Sequence, residues 1–505
     1  MFIAAQEWFT TVEANGKVNG RANGNANVSS EKLPAGLLSG SSPRSLAALY
    51  QALASSNPPD NLRRRAAEFL ESQIAEVSGK SCDLPAAAEG LEAWMLGGAQ
   101  LATTQYKRYL VERKAGGPRR YFGNRAHALY FLRSVSPTKL VDGAWLYGLI
   151  AHWRNPRFSD LIRTYVEELG EGEADKNHVA IYRQLLARYG LASVEDLDDR
   201  LYTQGIVQLA LAYNAEDFLP EVIGFNLGYE QLPLHLLITA YELNELGIDP
   251  YYFTLHVTVD NTDNGHARRA VQALNDTLPR VGDTTEFWRR VRVGYLLGNA
   301  GVDTHQIIEG FEIDREVTRI FSRKRVAGHG AHSDYCRVGG RSINDWLARP
   351  EDMPGLLAAL QASGWIKPGA PVVQSRFWNL LHGPRAEMFG VFTSYELQVV
   401  HDWIRGAASR DGQSCMQASL TDGQQPPRQP SFRAAAQLAV ARGYAPLSGT
   451  AMPELLDTDL SELKQQLPLL DSKERTALLL DAMAPSQHWT PAGLFATRLF
   501  CQCAT

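Results

Sequence analysis

The residues with the clearest capacity for chemistry lie near the middle of the chain, between residues 251 and 266. His256 and Asp260 are four residues apart, so both side chains project from one face if the segment is helical. His266 follows six residues later, and Gly265 just before it allows the helix to bulge or unwind and bring this ring back. Imidazole and carboxylate groups together suit iron, manganese or zinc. The alternative interpretation is a helix that carries two exposed histidines and an acid.

A second group of candidate ligands combines carboxylates, glycines and one histidine. Glu168 is followed by a glycine-rich stretch that begins at Gly170, and His178 comes ten residues after Glu168. A helix that ends at Gly170 and restarts near Asp175 would direct Glu168 and His178 to one point. Carboxylates and histidines that project inward from several helices hold di-iron or di-manganese sites in helical bundles. A solvated acidic loop between two helices is the other interpretation.

Three further acids stand in apolar surroundings. Asp142 interrupts an apolar run that we expect to be helical, and Glu230 interrupts a second apolar stretch that begins just after Glu221. A carboxylate on an apolar face requires a partner, and a metal ion is one such partner. For each acid taken singly, a first-turn helix position or a buried salt bridge is equally compatible with the sequence.

Helices are the elements that must position these side chains, because apolar residues recur at three- and four-residue spacing. The spacing is clear in the runs 201–213 and 234–246. Gly247 and the pair Asp249-Pro250 are typical of a helix end followed by a helix start. Alternating strand patterns are scarce. The sequence therefore predicts an all-α fold with six or more long helices in residues 46–320.

Composition argues against several classes of protein. The 505 residues include 50 basic and 55 acidic side chains, a net charge of −5, whereas nucleic-acid binders show a basic face. No stretch approaches the roughly 18 apolar residues of a membrane span. Five cysteines without paired spacing favour reduced thiols in a cytoplasm. We expect a cytoplasmic protein that acts on a small molecule, with no nucleic-acid or membrane partner, and the sequence leaves open whether it forms a homodimer.

Five segments are expected along the chain. Residues 1–45 are rich in Asn, Gly and Ser, and they predict a flexible leader because such a composition buries too little apolar surface to become ordered. Residues 46–330 predict the main helical bundle, and residues 331–405 a helical extension that packs on it. Residues 406–431 predict a linker or a long loop. Residues 432–505 predict a helical C-terminal segment.

The two ligand-rich segments together resemble a known family. The run from Glu168 through Gly170 and Gly172 to His178, followed by the 256–266 segment, is similar to the iron-containing redox enzymes with a haem-oxygenase-like fold, also called haem-oxygenase-like di-iron oxidases. The similarity covers roughly residues 134–274. It implies a haem-oxygenase-like bundle of about seven helices, with additional helical C-terminal segments here, that holds two irons without haem.

The resemblance also implies a set of ligands. The implied metal ligands are Asp142, Glu168, His178, Glu230, His256, Asp260 and His266. The same residues without Asp142 form the implied catalytic set. Glu221 is the alternative to Glu230, which is favoured by its spacing along the chain. The family usually has Glu where this chain has Asp142, and in many members the last ligand would fall on Asp263, whereas here a histidine follows three residues later at His266.

What the family does implies a function. The expected protein is a non-haem di-iron enzyme that binds two Fe²⁺ ions per chain and uses O₂ to oxidise a small amino-acid-like or acyl substrate. N-oxygenation, oxidative C–C cleavage and desaturation, in specialised metabolism, are the reactions implied, with Arg385 a candidate for holding a substrate carboxylate. One alternative is a metal-free hydrolase of the thiamin-salvage kind, which requires a reactive cysteine, and Cys82 is the one near the core. Another alternative is a non-catalytic helical binding protein.

Overall fold

The computed structural model describes residues 45–55, 57–191, 197–259, 265–383, 386–406 and 457–504. Helices dominate these residues, as the apolar periodicity predicts. The helices up to residue 259 are α1 Leu46–Ser55, α2 Asp60–Val77, α3 Leu91–Lys114, α4 Arg125–Ser134, α5 Ser136–Lys139, α6 Ser159–Glu168, α7 His178–Arg188, α8 Thr203–Tyr213, α9 Leu219–Tyr229, α10 Leu234–Glu245 and α11 Tyr251–Val259. The later helices are α12 His266–Thr277, α13 Thr284–Leu297, α14 Thr304–Glu309, α15 Ile313–Gly328, α16 Ile343–Leu347, α17 Met353–Ala362, α18 Arg376–Leu381, α19 Ser394–Arg405, α20 Thr458–Gln466, α21 Ser472–Ala482 and α22 Pro491–Ala504.

Shorter elements connect these helices. The 3₁₀ turns are Ala88–Gly90, Ala144–His152, Pro156–Phe158, Gly170–Gly172, Asp199–Tyr202, Pro350–Asp352, Val372–Gln374 and Leu467–Leu469. Two short strands, β1 Arg337–Val338 and β2 Arg341–Ser342, pair antiparallel, and they are the only strands in the described ranges. None of the helices in the described part of the chain is both long and apolar enough to cross a membrane.

Local sequence signals account for the helix boundaries around the candidate site. Gly247, at a φ of +66°, follows the end of α10. The Asp249 side chain then accepts a hydrogen bond of 3.0 Å from the Tyr251 N–H, which caps the first turn of α11. These are the stop and start signals that the sequence carries at 247–250, and α8 and α10 occupy the two periodic runs within two residues.

The predicted segments are only partly described. The leader (1–45) and the linker (406–431) lie outside the described residues except for residues 45 and 406. Residues 331–405 hold α16 to α19, of which α19 packs against α4 and α15. From residue 457 onward, α20 and α21 each pack on α22, and α22 also lies on the 3₁₀ turn Gly170–Gly172.

Within the described ranges, buried apolar side chains form two separate cores. The first core draws on α1, α2, α6, α8, α9, α12, α13 and the C-terminal helices, with Leu70 and Phe225 fully buried. The second core draws on α4, α7, α10, α11 and α14 to α19, with Phe122 and Val399 fully buried. The ligand-bearing helices divide between them: α6 and α12 belong to the first core, and α7 and α11 to the second. Candidate ligands carried by these four helices therefore meet where the two cores meet.

Candidate metal centre

A first cluster of ligand-type side chains joins Asp142, Glu168, His178 and His256. All four are buried, and one ligand atom from each lies within 4.8 Å of the others. The His178 Nδ1 atom lies 2.5 Å from Glu168 Oε2. The His256 Nε2 atom lies 3.1 Å from Asp142 Oδ2, and the two imidazole ring centres are 4.3 Å apart. Two carboxylates and two imidazoles thus face one point.

A second cluster shares one residue with the first. It consists of Glu168, Glu230 and His266, all of them buried. The His266 Nδ1 atom lies 3.0 Å from Glu230 Oε2 and 3.3 Å from Glu168 Oε1. Glu168 therefore directs one carboxylate oxygen into each cluster. A carboxylate in that position can bridge two cations.

A tight loop brings Glu168 and His178 together. Helix α6 ends at Glu168, and the 3₁₀ turn that follows has left-handed backbone angles at Gly170, Glu171 and Gly172, with φ of +64°, +53° and +85°. A Cβ atom on Gly170 would overlap the backbone N of Asn177. Only glycine combines this φ with such a close approach. The glycine-rich stretch thus folds the chain back so that α7 starts beside the end of α6.

The Asn177 side chain secures the start of α7. Its Oδ1 accepts a hydrogen bond of 2.9 Å from the Ala180 N–H, and its Nδ2 donates to the Leu169 carbonyl at 3.2 Å. This is an N-cap with a second tie to the preceding helix. His178 is the first residue of α7 as a result, and its position relative to Glu168 is set on both sides of the loop.

Asp142 lies in a turn and not in a helix, which corrects the expectation of an acid within an apolar helix. The turn joins α5 to the 3₁₀ segment Ala144–His152, and Gly143 within it has a φ of +78°. A Cβ atom on Gly143 would lie 2.8 Å from Glu168 Cβ. The turn therefore presses the backbone beside Asp142 against the side chain of Glu168, which a continuous helix with a bulkier residue could not do.

Two histidines present one nitrogen to the clusters and use the other for a hydrogen bond. The His256 Nδ1 atom lies 2.7 Å from the Tyr252 carbonyl, so Nδ1 carries the proton and Nε2 faces Asp142. The His266 Nε2 atom lies 3.1 Å from Glu167 Oε2, so Nδ1 is left to face Glu168 and Glu230. A bound metal ion would replace the proton on that inward nitrogen and take up its lone pair.

Neighbouring charges keep the carboxylates of the clusters ionised. Burial raises the pKa of Asp142, but the charge of Lys139 and the hydrogen bond with His256 outweigh it, so the net shift is downward. Burial also opposes ionisation of Glu168, yet His178 and His266 hold its pKa well below the ordinary value. For Glu167, the bond from His266 and the charge of Arg269 overcome burial and lower the pKa to about 2. Ionised carboxylates are the form that ligates a metal.

Tyr252 adds a hydroxyl group to the first cluster. Its hydroxyl donates a short hydrogen bond to Asp142 Oδ2, and its ring packs 4.6 Å from the ring of His256. Burial, followed by the negative charge of Asp142, raises the pKa of Tyr252 well above 10. The phenol is therefore neutral and holds the aspartate in place. Its neighbour Tyr251 instead donates to the carbonyl of Asp175 at 3.0 Å.

The donor set fits a pair of iron ions. The His178 Nδ1 atom is buried 2.5 Å from a carboxylate oxygen of Glu168, without the geometry of a regular hydrogen bond. Two polar groups buried this close together without a well-formed hydrogen bond are costly, and a cation held by both would satisfy them. Three carboxylates and three imidazoles, one carboxylate being shared, match the nitrogen and oxygen ligands of di-iron sites in helical bundles.

The structure brings together six of the residues singled out from sequence. These are Asp142, Glu168, His178, Glu230, His256 and His266. Glu221 is not among them: its two carboxylate oxygens lie 2.7 and 2.6 Å from the guanidinium of Arg290. Asp260, Asp263 and Arg385 lie outside the described residues. Cys82 belongs to neither cluster, and burial raises the pKa of its thiol.

Several contributors have no clear signal in the sequence. Glu167 is adjacent to Glu168, but nothing in the residue order shows which of the two meets which nitrogen of His266. Nothing in the sequence distinguishes Asn177 from other polar loop residues. His488 is fully buried with its Nδ1 atom 3.1 Å from the Asn177 amide nitrogen, although the two are 311 positions apart. Such contacts depend on how distant helices pack.

The six assembled residues all fall in one part of the chain, and that part has known relatives. Residues 129–299, about one third of the chain, match a family described as iron-containing redox enzymes. The resemblance predicted from sequence is confirmed. The helical fold of this part of the chain is that of the haem-oxygenase-like family it matches, and the match indicates an oxidoreductase. No curated protein and no solved structure gave a significant match.

Proposed function

We propose that the protein is a non-haem di-iron oxygenase or oxidase that uses O₂ to oxidise a small substrate. The observation that carries the proposal is the position of Glu168, whose two carboxylate oxygens point into two different ligand clusters. A single metal ion requires only one such cluster. Two clusters joined by one carboxylate are the arrangement expected for a metal pair.

The chain offers a distinct ligand set for each iron. Asp142, His178 and His256 would hold the first ion, and Glu230 and His266 the second, with Glu168 between them. The predicted ligand Asp260 would add a carboxylate to this set. When bound, two ferrous ions with open positions supply the electrons that O₂ requires.

The protein's own residues prepare the site for that chemistry. Burial of all six ligands excludes bulk water, which strengthens electrostatic interactions within the site. The Tyr252 carbonyl and the Glu167 carboxylate hold the two imidazoles His256 and His266 in fixed orientations. The Tyr252 hydroxyl restrains Asp142. The ligand positions are thus set largely before any ion binds, so little reorganisation is needed on binding.

The substrate class belongs to the same proposal. A site enclosed among helices admits a small molecule and excludes a polymer, so we propose an amino-acid-like or acyl substrate. N-oxygenation, C–C cleavage and desaturation are the reactions that we propose to test.

The test is anaerobic loading followed by exposure to O₂. Purified full-length chain is mixed with ferrous ion without air, and we expect about two irons per chain by metal analysis. Admission of O₂ should then oxidise this iron faster than free ferrous ion, as followed by a ferrous-specific chelator and an oxygen electrode. Loading with Zn²⁺ provides the redox-inactive control. Protein that binds two irons but leaves them ferrous in O₂, with or without candidate amino acids and fatty acids, would falsify the oxygenase proposal.

A further inference from the structure

The imidazole of His266 is held between two consecutive glutamates. Its Nδ1 atom faces Glu168 Oε1 at 3.3 Å, and its Nε2 atom faces Glu167 Oε2 at 3.1 Å. The ring itself is 1% exposed, so water does not compete for these contacts. Glu167 is on the side of the ring opposite the cluster. It therefore contacts the histidine without being a candidate ligand.

Two arginines hold the Glu167 carboxylate in this position. The Arg163 Nε atom lies 3.0 Å from Glu167 Oε1, one helical turn earlier in α6. Arg269, one turn after His266 in α12, forms a short ion pair with Glu167 Oε2. The carboxylate thus ties α6 to α12 and at the same time accepts a hydrogen bond from the Nε2–H of His266. An imidazole that donates to a carboxylate through one nitrogen is fixed in tautomer and orientation and is a better ligand through the other.

We propose that Glu167 is a positioning residue for the second cluster: it holds Nε2 of His266 and so directs Nδ1 to the point shared by Glu168 and Glu230. The inference rests on the proposed function, because it requires the second cluster to bind iron. Glu167 contacts His266, a ligand of the second cluster, whereas the outer nitrogen of His256 bonds the Tyr252 carbonyl. Loss of Glu167 should therefore weaken the second iron site selectively.

The sharpest test compares Glu167→Met with Glu167→Gln in the full-length chain. The two replacements have similar size and helix propensity, and both remove the charge that pairs with the arginines. They differ in one property, because the glutamine amide oxygen can still accept a hydrogen bond from Nε2 of His266. Arg163→Ala is the second control, since it removes one ion pair of Glu167 and leaves the contact with His266 in place.

Anaerobic equilibrium dialysis with Fe²⁺ measures each site without any need for activity. We expect Glu167→Met to weaken the second iron by roughly 10- to 100-fold and to leave the first unchanged. Glu167→Gln should keep most of the parent's affinity for the second iron, and Arg163→Ala should bind both ions as the parent does. With Co²⁺ in place of iron, the visible absorption of the second ion should change in Glu167→Met alone, because it reports ligand geometry.

The possible results distinguish the role of Glu167 from the di-iron function on which it rests. A parent protein that binds fewer than two irons overturns the di-iron proposal and the role of Glu167 together. A parent that binds two irons, with Glu167→Met binding both equally well, overturns only the role of Glu167. Equal loss in the Met and Gln variants also overturns it, because the hydrogen bond is then not what matters. Circular dichroism of the two variants should be the same.

Discussion

The Glu168 Oε2 atom lies 2.5 Å from the Nδ1 atom of His178, across a loop in which three successive residues have a positive φ. Glycine adopts left-handed backbone readily, but at Glu171 it is strained. The loop adopts this shape because Asn177 bonds both ends and α22 covers the turn. The first cluster is therefore assembled by contacts on both sides of a short connection.

Loss of one imidazole should remove one iron. His256→Ala deletes the Nε2 atom that faces Asp142, and no described neighbour can replace it. We expect iron content after anaerobic loading to fall from two ions per chain to about one. His329→Ala, which removes an exposed histidine, is the matched control and should keep both ions. Full iron content in His256→Ala would place the first site elsewhere.

Glu221, in the first turn of α9, and Glu230, just after its last residue, should behave differently. Glu230→Ala removes a carboxylate of the second cluster, so we expect weaker binding of the second iron. Glu221→Ala should keep both irons but leave Arg290 without its carboxylate partner, at a cost of about 1–3 kcal/mol in the free energy of unfolding. Denaturant unfolding and metal analysis of both variants check this. The reverse pattern would make Glu221 the ligand.

A side chain at position 143 should disturb the site by displacing Glu168. Gly143→Ala would strain a φ of +78° and place a Cβ atom 2.8 Å from Glu168 Cβ, so Glu168 must move. We expect a loss of about 1–3 kcal/mol in stability and weaker binding of both irons, because Glu168 serves both clusters. Gly116→Ala is the control: its φ is +89°, but open space surrounds it. Unchanged iron binding in Gly143→Ala would show that the turn can shift without displacing Glu168, contrary to this prediction.

Acid should destabilise the protein in part through His488. Burial and the nearby charge of Arg183 lower the pKa of His488 to about 3. The unfolded chain takes up this proton below pH 6.5, whereas the folded chain takes it up only near pH 3. Stability is therefore lost as pH falls between these values, at up to about 1.4 kcal/mol per pH unit. His488→Gln should show a shallower decline of unfolding free energy between pH 6.5 and 4. Parallel declines in parent and variant would contradict this assignment.

The residue order alone determined the helical class and most of the candidate ligands. Apolar residues at three- and four-residue spacing produce helices wherever the chain can bury one face, and this information is local. The same is true of the glycines after Glu168, because only they permit the left-handed turn that returns His178. Residue type and spacing alone therefore identify four candidate ligands: Glu168, His178, His256 and His266.

Tertiary structure decided which acids meet those histidines. Glu221 and Glu230 are carried by the same stretch of chain, and the packing of α13 against α9 gives Arg290 to the first and leaves the second for the cluster. Asp142 reaches the site from a turn, and Glu167 meets His266 only because α6 packs on α12. His488 joins from the turn between α21 and α22, more than 300 residues from Asn177. The rotation and crossing of helices far apart in sequence set these contacts, and no local pattern of residue types encodes them.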